Sequence, residues 1–170
     1  MVRERDTVDE MLEQWGAERP DLDLAGMGIA LRVTLLAGLF GERLKETLAP
    51  AGLAVWEFDV LSALRRSDGE GGLSPTELCA SAQLTSGAMT HRLDRLEERG
   101  LVRRRADAGD RRSVTVTLTR RGRALVDRVL VDRVADASDA VAGLRAADRR
   151  ALERLLREVG LGLERSGARD

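Results

Sequence analysis

The stretch that decides the reading is SPTELCASAQLTSGAMTHRLDRLEERGLVRRRADAGDRRSVTVTLT, residues 74–119. It opens as a helix start. Ser74 stands at the cap, Pro75 at the first helical position and Glu77 three residues after the cap, which is a capping box with a pre-set first turn. Gln83 and Leu84 connect it to a second helix, TSGAMTHRLDRLEERG, which Gly100 ends. The period then changes. Val114, Val116 and Leu118 alternate with Thr115, Thr117 and Thr119, a period-2 strand rich in β-branched residues. LVRRRA before it reads as the partner strand, and DAGD between them supplies the turn. Two short helices, a brief turn and a two-stranded hairpin are the order of a winged helix-turn-helix.

Helical projection sorts the second helix into faces. Met89, Leu93 and Leu96 share one face, expected to pack on the domain, while Gly87, His91, Asp94 and Arg95 lie roughly opposite. A recognition helix offers its N-terminal residues to base edges in the major groove. Here those are Ser86, Gly87, Thr90 and His91, small or hydrogen-bonding and free of acid. Asp94, Glu97 and Glu98 come later, where the helix leaves the groove. Thr85 or Ser86 caps this helix, whose N-terminus favours a phosphate. Arg111 and Arg112 fall at or just after the hairpin tip, and a narrow minor groove attracts arginine. Asp107 or Asp110 is expected to pair with one of them. With Ser74 and Arg95 these residues form the expected DNA-binding set. The alternative is an ordinary surface hairpin with solvated arginines. His91 reads as a phosphate or base contact, or, with an ordinary pKa of ~6.5, as a pH sensor.

Outward from this stretch the chain reads as helices. Residues 5–18 place Val8, Leu12 and Trp15 at helical spacing before Pro20. A long apolar helix is expected over 22–48, and a third over 54–66 with Val55, Phe58, Leu61 and Leu64 on one face. After the hairpin, residues 121–142 and 146–164 read as two further helices, carrying Leu125, Val129, Leu155, Leu156 and Leu163 at helical spacing.

Charge is unevenly spread. The net charge is −1, yet residues 82–123 hold 11 arginines against five acids, whereas residues 1–24 hold eight acids against three bases. A basic block within a folded domain is the footprint expected for a polyanion, although a charge run is also the mark of a solvated face. Lys45 is the sole lysine.

Composition excludes several function classes. The 170 residues suit one compact domain, and aromatics make up only 2%, so the core must be aliphatic. One cysteine rules out an intrachain disulfide framework, and one histidine rules out a His-triad metal site. There is no Walker A motif, no dinucleotide glycine fingerprint and no close Cys–His pair, so neither enzyme nor cofactor is expected. The segment MVRERDTVDEML lacks an apolar h-region, and the apolar stretch from Ile29 to Phe40 is broken by Arg32 and falls short of the ~20 residues of a membrane span. The expectation is a cytoplasmic protein with no membrane partner.

Residues 74–127 resemble the MarR family of transcriptional regulators, through SGAMTxRxDRLExRGLVxR and DxxDRRxxxVxLTxxG. The chain has Gly109 where the family often has arginine, and His91 where asparagine is common. The resemblance implies a mainly α fold with a small β-hairpin and a homodimer on a palindromic operator in double-stranded DNA. Its division would be a helical dimerisation region over 1–48 and 121–170, with 1–20 an extra N-terminal helix, around a winged helix-turn-helix lobe over 49–120. The extra helix, EFDVL, HRLDRLE and VRRR further resemble the urate-responsive branch of the family. That likeness implies a pocket for urate or a similar small organic anion at Trp15, Asp59, Arg92 and Arg104. Members of that branch also answer to other acids, such as trans-aconitate, so a different aromatic or tricarboxylic acid is an alternative effector.

The chemistry of these residues suits such a pocket. The planar fork of Arg92 takes a carboxylate or planar oxyanion bidentately. A salt bridge from Asp59 would hold Arg92 when no ligand is present, and Trp15 offers a flat ring and one N–H. DNA and anion would favour different lobe spacings, so each weakens the other by an equal factor, typically worth ~1–3 kcal/mol. Structural readings stand beside these: Trp15 as an anchor for its helix, and Asp59 with Arg92 as a plain ion pair. Cys79 reads as a small buried apolar residue or, alternatively, as a redox-sensing thiol in a repressor of the same fold.

Overall fold

The computed structural model describes residues 5–67, 71–81, 86–106 and 114–167. The order is α1 (Thr7–Glu18), α2 (Ala25–Leu48), a 3-10 turn (Ala49–Ala51), α3 (Val55–Arg66), α4 (Pro75–Ser81), α5 (Ser86–Glu98), β1 (Val102–Ala106), β2 (Val114–Leu118), α6 (Arg120–Ala140) and α7 (Ala146–Gly167). It is mainly helical with one antiparallel hairpin, as expected. Val102 pairs with Leu118, Arg104 with Val116 and Ala106 with Val114. A further antiparallel bridge joins Leu73, just before α4, to Val116: each donates its amide to the other's carbonyl, at 3.0 and 2.8 Å.

The core lies in the lobe formed by α3, α4, α5 and the hairpin. Val60, Leu61 and Leu64 of α3, Leu78 of α4, Met89, Leu93 and Leu96 of α5, and Val102 and Val116 of the hairpin are all buried in one cluster. The three α5 residues are those projected onto its inward face. Each fully buried aliphatic side chain contributes about 1.5–3 kcal/mol. The expected capping box of α4 is present: the Ser74 amide donates to Glu77 Oε2 at 2.8 Å, and the Glu77 amide donates to Ser74 Oγ at 3.2 Å. Gly100, at φ 65°, ends α5 in the left-handed conformation that glycine adopts without cost.

The lobe is tied to α6 at Thr119. Its Oγ1 accepts the Gly122 amide at 3.0 Å, capping α6, and donates to the Gly100 carbonyl at 2.7 Å. Gly122 fits there because a Cβ would lie 2.0 Å from the Leu101 carbonyl oxygen. Within the frame of α1, α2, α6 and α7, ion pairs link α1 to α2 and α2 to α6. Arg32 of α2 forks onto Asp6 at 2.8 and 2.9 Å and also donates to Asp9. Arg43 of α2 pairs with Asp136 of α6, and Lys45, exposed on α2, pairs with Glu42 at 2.7 Å.

Ala25–Ala51 is, against the shorter apolar stretch read from sequence, long and apolar enough by length and composition to cross a membrane. Within the fold, however, Arg32 and Arg43 bind it to α1 and α6. It is a scaffold helix whose apolar residues face outward.

Candidate functional site

The outward face of α5 follows from its inward one. With Met89, Leu93 and Leu96 in the core, Thr90, His91 and Arg95 are exposed. Ser86 and Gly87 begin the helix, and its first turn carries no acid. Ser74 is engaged in capping α4. Thr85, the wing-tip residues Arg111 and Arg112, and their expected partners Asp107 and Asp110 lie outside the described residues.

Two supports hold α5 at its other end. Arg99 Nη1 donates to Glu57 Oε1 at 2.6 Å, and Arg99 Nη2 donates to the Gly52 carbonyl at 3.1 Å. Glu57 is buried and its second oxygen accepts the Ala54 amide at 2.9 Å, so one carboxylate both caps α3 and anchors α5. The second support is Arg104 of β1. Its guanidinium donates to Asp94 and, at 3.0 Å, to the Thr90 carbonyl, while its own amide donates to Glu97 Oε1 at 2.9 Å.

Of the four residues expected to form an anion pocket, Asp59 and Arg92 come together at the α3–α5 seam. Arg92 is half-buried, with its Cζ 5.4 Å from the centroid of Trp56, and Arg95 lies 5.6 Å from the same ring. Cation–π contacts at this range contribute about 0.5–2 kcal/mol, depending on desolvation. Trp56 and Asp59 are one turn apart on α3, just as Arg92 and Arg95 are on α5. Nη1 of Arg92 is buried and has no hydrogen-bond partner among the described residues. The Asp59–Arg92 ion pair expected from sequence is not formed among the described residues. Burial pushes the Asp59 carboxyl above the usual carboxylate range, and the charges of Arg66 and Arg92 only partly oppose this.

Arg104 stands elsewhere. Thr90, Asp94 and Glu97, which it holds, share a face of α5 roughly opposite Arg92. Trp15 stands on α1, 48% exposed, and among the described residues no cation–π contact links it to Arg92 or Arg104. The aromatic partner of Arg92 is therefore Trp56, a residue the sequence reading placed in no site. Its signal was its position three residues before Asp59. Cys79 is half-buried against the lobe core.

The arrangement offers a basic, hydrogen-bonding helix face and, on its flank, a buried guanidinium with an unused donor. Known proteins match this picture. The MarR family model matches residues 51–113. The HTH-type transcriptional regulator PecS of Dickeya dadantii is 34% identical over 152 residues, spanning 89% of this chain and 92% of PecS. The HTH-type transcriptional repressor Rv2887 of Mycobacterium tuberculosis is 42% identical over 114 residues, 66% of this chain and 79% of Rv2887. The crystal structure of Rv2887 with p-aminosalicylic acid matches 77% of this chain and 97% of that one, with a TM-score of 0.62 and 33% identity. Wild-type apo MarR from Escherichia coli matches 76% and 95%, with a TM-score of 0.66 and 27% identity. These relatives are regulators and not enzymes. With a 34% identical relative aligned along 89% of its length, and with helix order and hairpin in place, the chain belongs to the MarR family of DNA-binding transcriptional regulators.

Proposed function

We propose that the chain is a cytoplasmic, homodimeric repressor that leaves a palindromic operator when a small organic anion such as urate binds. The observation that carries this reading is the two-sidedness of α5. One face is fixed in the core by Met89, Leu93 and Leu96, and the opposite face presents Thr90, His91 and Arg95 outward. A helix held in this way suits major-groove insertion through Ser86, Gly87, Thr90 and His91, with Arg111 and Arg112 of the wing at the minor groove.

The effector reading is supported by Arg92. A buried guanidinium N–H without an acceptor is costly, and an anion would satisfy it. Trp56 supplies a ring for a planar ligand there, and Asp59 lies close enough for its charge to be felt. That Rv2887 was crystallised with p-aminosalicylic acid favours an aromatic acid of this kind. Trp15 and Arg104 complete the pocket in this reading only if the dimer brings them to it. The dimer itself is supported by apolar residues left outward on the frame: Leu39 of α2 is 63% exposed, Val131 of α6 68% and Leu163 of α7 69%. Residues 1–48 and 121–170 then form the dimerisation region around the lobe of 49–120.

The test is a gel shift on the intergenic region beside the chain's own gene, at two salt concentrations, followed by titration with urate. Binding should weaken steeply with salt, with a log–log slope of ~0.9 per neutralised phosphate, and urate should release the DNA. Absence of a shift at low salt refutes DNA binding there, and a shift insensitive to urate refutes that effector.

A further inference from the structure

Trp56 belongs to α3, yet its ring serves two arginines of α5. The side chain is half-buried and packs against the lobe core, which fixes its place. Arg92 Cζ stands 5.4 Å from the ring centroid and Arg95 Cζ 5.6 Å. Three residues apart, the two arginines reach the ring from neighbouring turns of the helix. They differ in exposure. Arg92 is half-buried, whereas Arg95 is exposed on the outward face with Thr90 and His91.

The acids around Arg95 are not its partners. Arg104 takes Asp94 and Glu97, and Glu98, one turn beyond Arg95, forms no ion pair with it among the described residues. No described residue accepts a hydrogen bond from the Arg95 guanidinium, so the ring is the group that locates it. A ring and a carboxylate hold a guanidinium with different results. A carboxylate cancels the charge and occupies the N–H groups. A ring attracts the flat cation through its quadrupole and leaves the charge and the N–H groups at the edge available. A long exposed arginine loses much side-chain freedom when a phosphate orders it, and a ring that orders it beforehand removes part of that cost.

We infer, on the reading of the outward face of α5 as the face that meets DNA, that Trp56 is a positioning residue for DNA binding: it acts through Arg95, presenting that arginine fully charged to a backbone phosphate. A phosphate fits the place better than a base edge does. Arg95 lies about 13 Å along the helix axis from Ser86, well past the first turn that enters the major groove.

Fluorescence anisotropy with a labelled duplex from the intergenic region beside the chain's own gene, over a salt series, tests this. Absence of wild-type binding refutes DNA contact by α5, and the role of Trp56 with it. Given wild-type binding, the variants decide the role of Trp56 alone. Arg95→Ala should weaken binding about tenfold and lower the log–log salt slope by ~0.9 per chain. Trp56→Leu keeps the arginine, so it should weaken binding about fivefold, about 1 kcal/mol, with the wild-type slope. In the Arg95→Ala background the same change should alter affinity by less than about 1.5-fold. Trp56→Phe keeps a ring and should stay within about twofold of wild type. Thermal midpoints check the fold, and Trp56→Met repeats the cycle should the leucine variant melt early. Wild-type affinity in Arg95→Ala or in Trp56→Leu would overturn the assignment. So would an equal loss from Trp56→Leu with and without Arg95, which marks a ring that only supports the lobe, or a Trp56→Phe variant as weak as Trp56→Leu.

Discussion

The lobe and the frame are built from similar aliphatic residues and treat them in opposite ways. In the lobe, the inward residues of α3, α4 and α5 meet one another and the hairpin, and leucines such as Leu61, Leu78 and Leu96 are fully enclosed. In the frame, α7 has no buried residue, and α2 has only Gly28 and Leu48. The lobe closes its core with its own elements together with Leu48 of α2 and Val126 and Val129 of α6. In the frame, ion pairs link α1 to α2 and α2 to α6, and many leucines stay exposed.

The largest expected effect lies inside the lobe. Arg99→Leu strands the buried Glu57 carboxylate and should cost about 3–5 kcal/mol of unfolding free energy, read by urea denaturation. A loss below ~1 kcal/mol would mean that the lobe does not depend on this anchor. Next comes the frame. Replacing Leu155 and Val159 of α7 with aspartate should leave the lobe folded and convert a dimer to monomers in sedimentation, removing about 2 kcal/mol of association energy per side chain. A variant that unfolds as a monomer, or stays dimeric, breaks the comparison.

At the seam, Arg92→Ala should weaken urate-induced release about tenfold while DNA affinity in the absence of urate falls less than threefold, by fluorescence anisotropy. A smaller effect is expected from pH. An anion beside Asp59 further disfavours its already raised ionisation, so binding takes up a proton and anion affinity rises as pH falls toward the Asp59 pKa. Asp59→Asn should flatten that dependence, and an unchanged slope would separate Asp59 from the site. The smallest effect belongs to α1. Arg32, and then the Asp9 amide, hold Asp6 at a pKa of about 2. This exposed contact should contribute fully above pH ~4 and fade as pH falls toward 2, seen as a loss of protection in α1 alone by hydrogen exchange.

Much of the fold was legible in the sequence because it rests on local rules. The period of Met89, Leu93 and Leu96, the Ser74–Glu77 box and the alternating threonines of β2 each fix their element without knowledge of the rest. The site was legible only in part. The sequence points to Arg92 and Asp59, but the ring between Arg92 and Arg95 comes from Trp56, about one-fifth of the chain earlier, and no local period reports such a pairing. Arg104 binds Asp94 and the Thr90 carbonyl, partners that a strand period does not report, since it gives the face and not the neighbour. Likewise α2 read as an ordinary apolar helix, since periodicity cannot say whether a partner lies within the chain or outside it.

The isolation of Lys45 on α2 has a practical outcome. Arginine has displaced every other side-chain amine, so once the terminal amine is blocked a succinimidyl dye has one side-chain target, exposed and far in sequence from α5. Energy transfer between two such labels would then report, without engineered cysteines, how far apart the two halves of an assembled pair stand as an acid is titrated in.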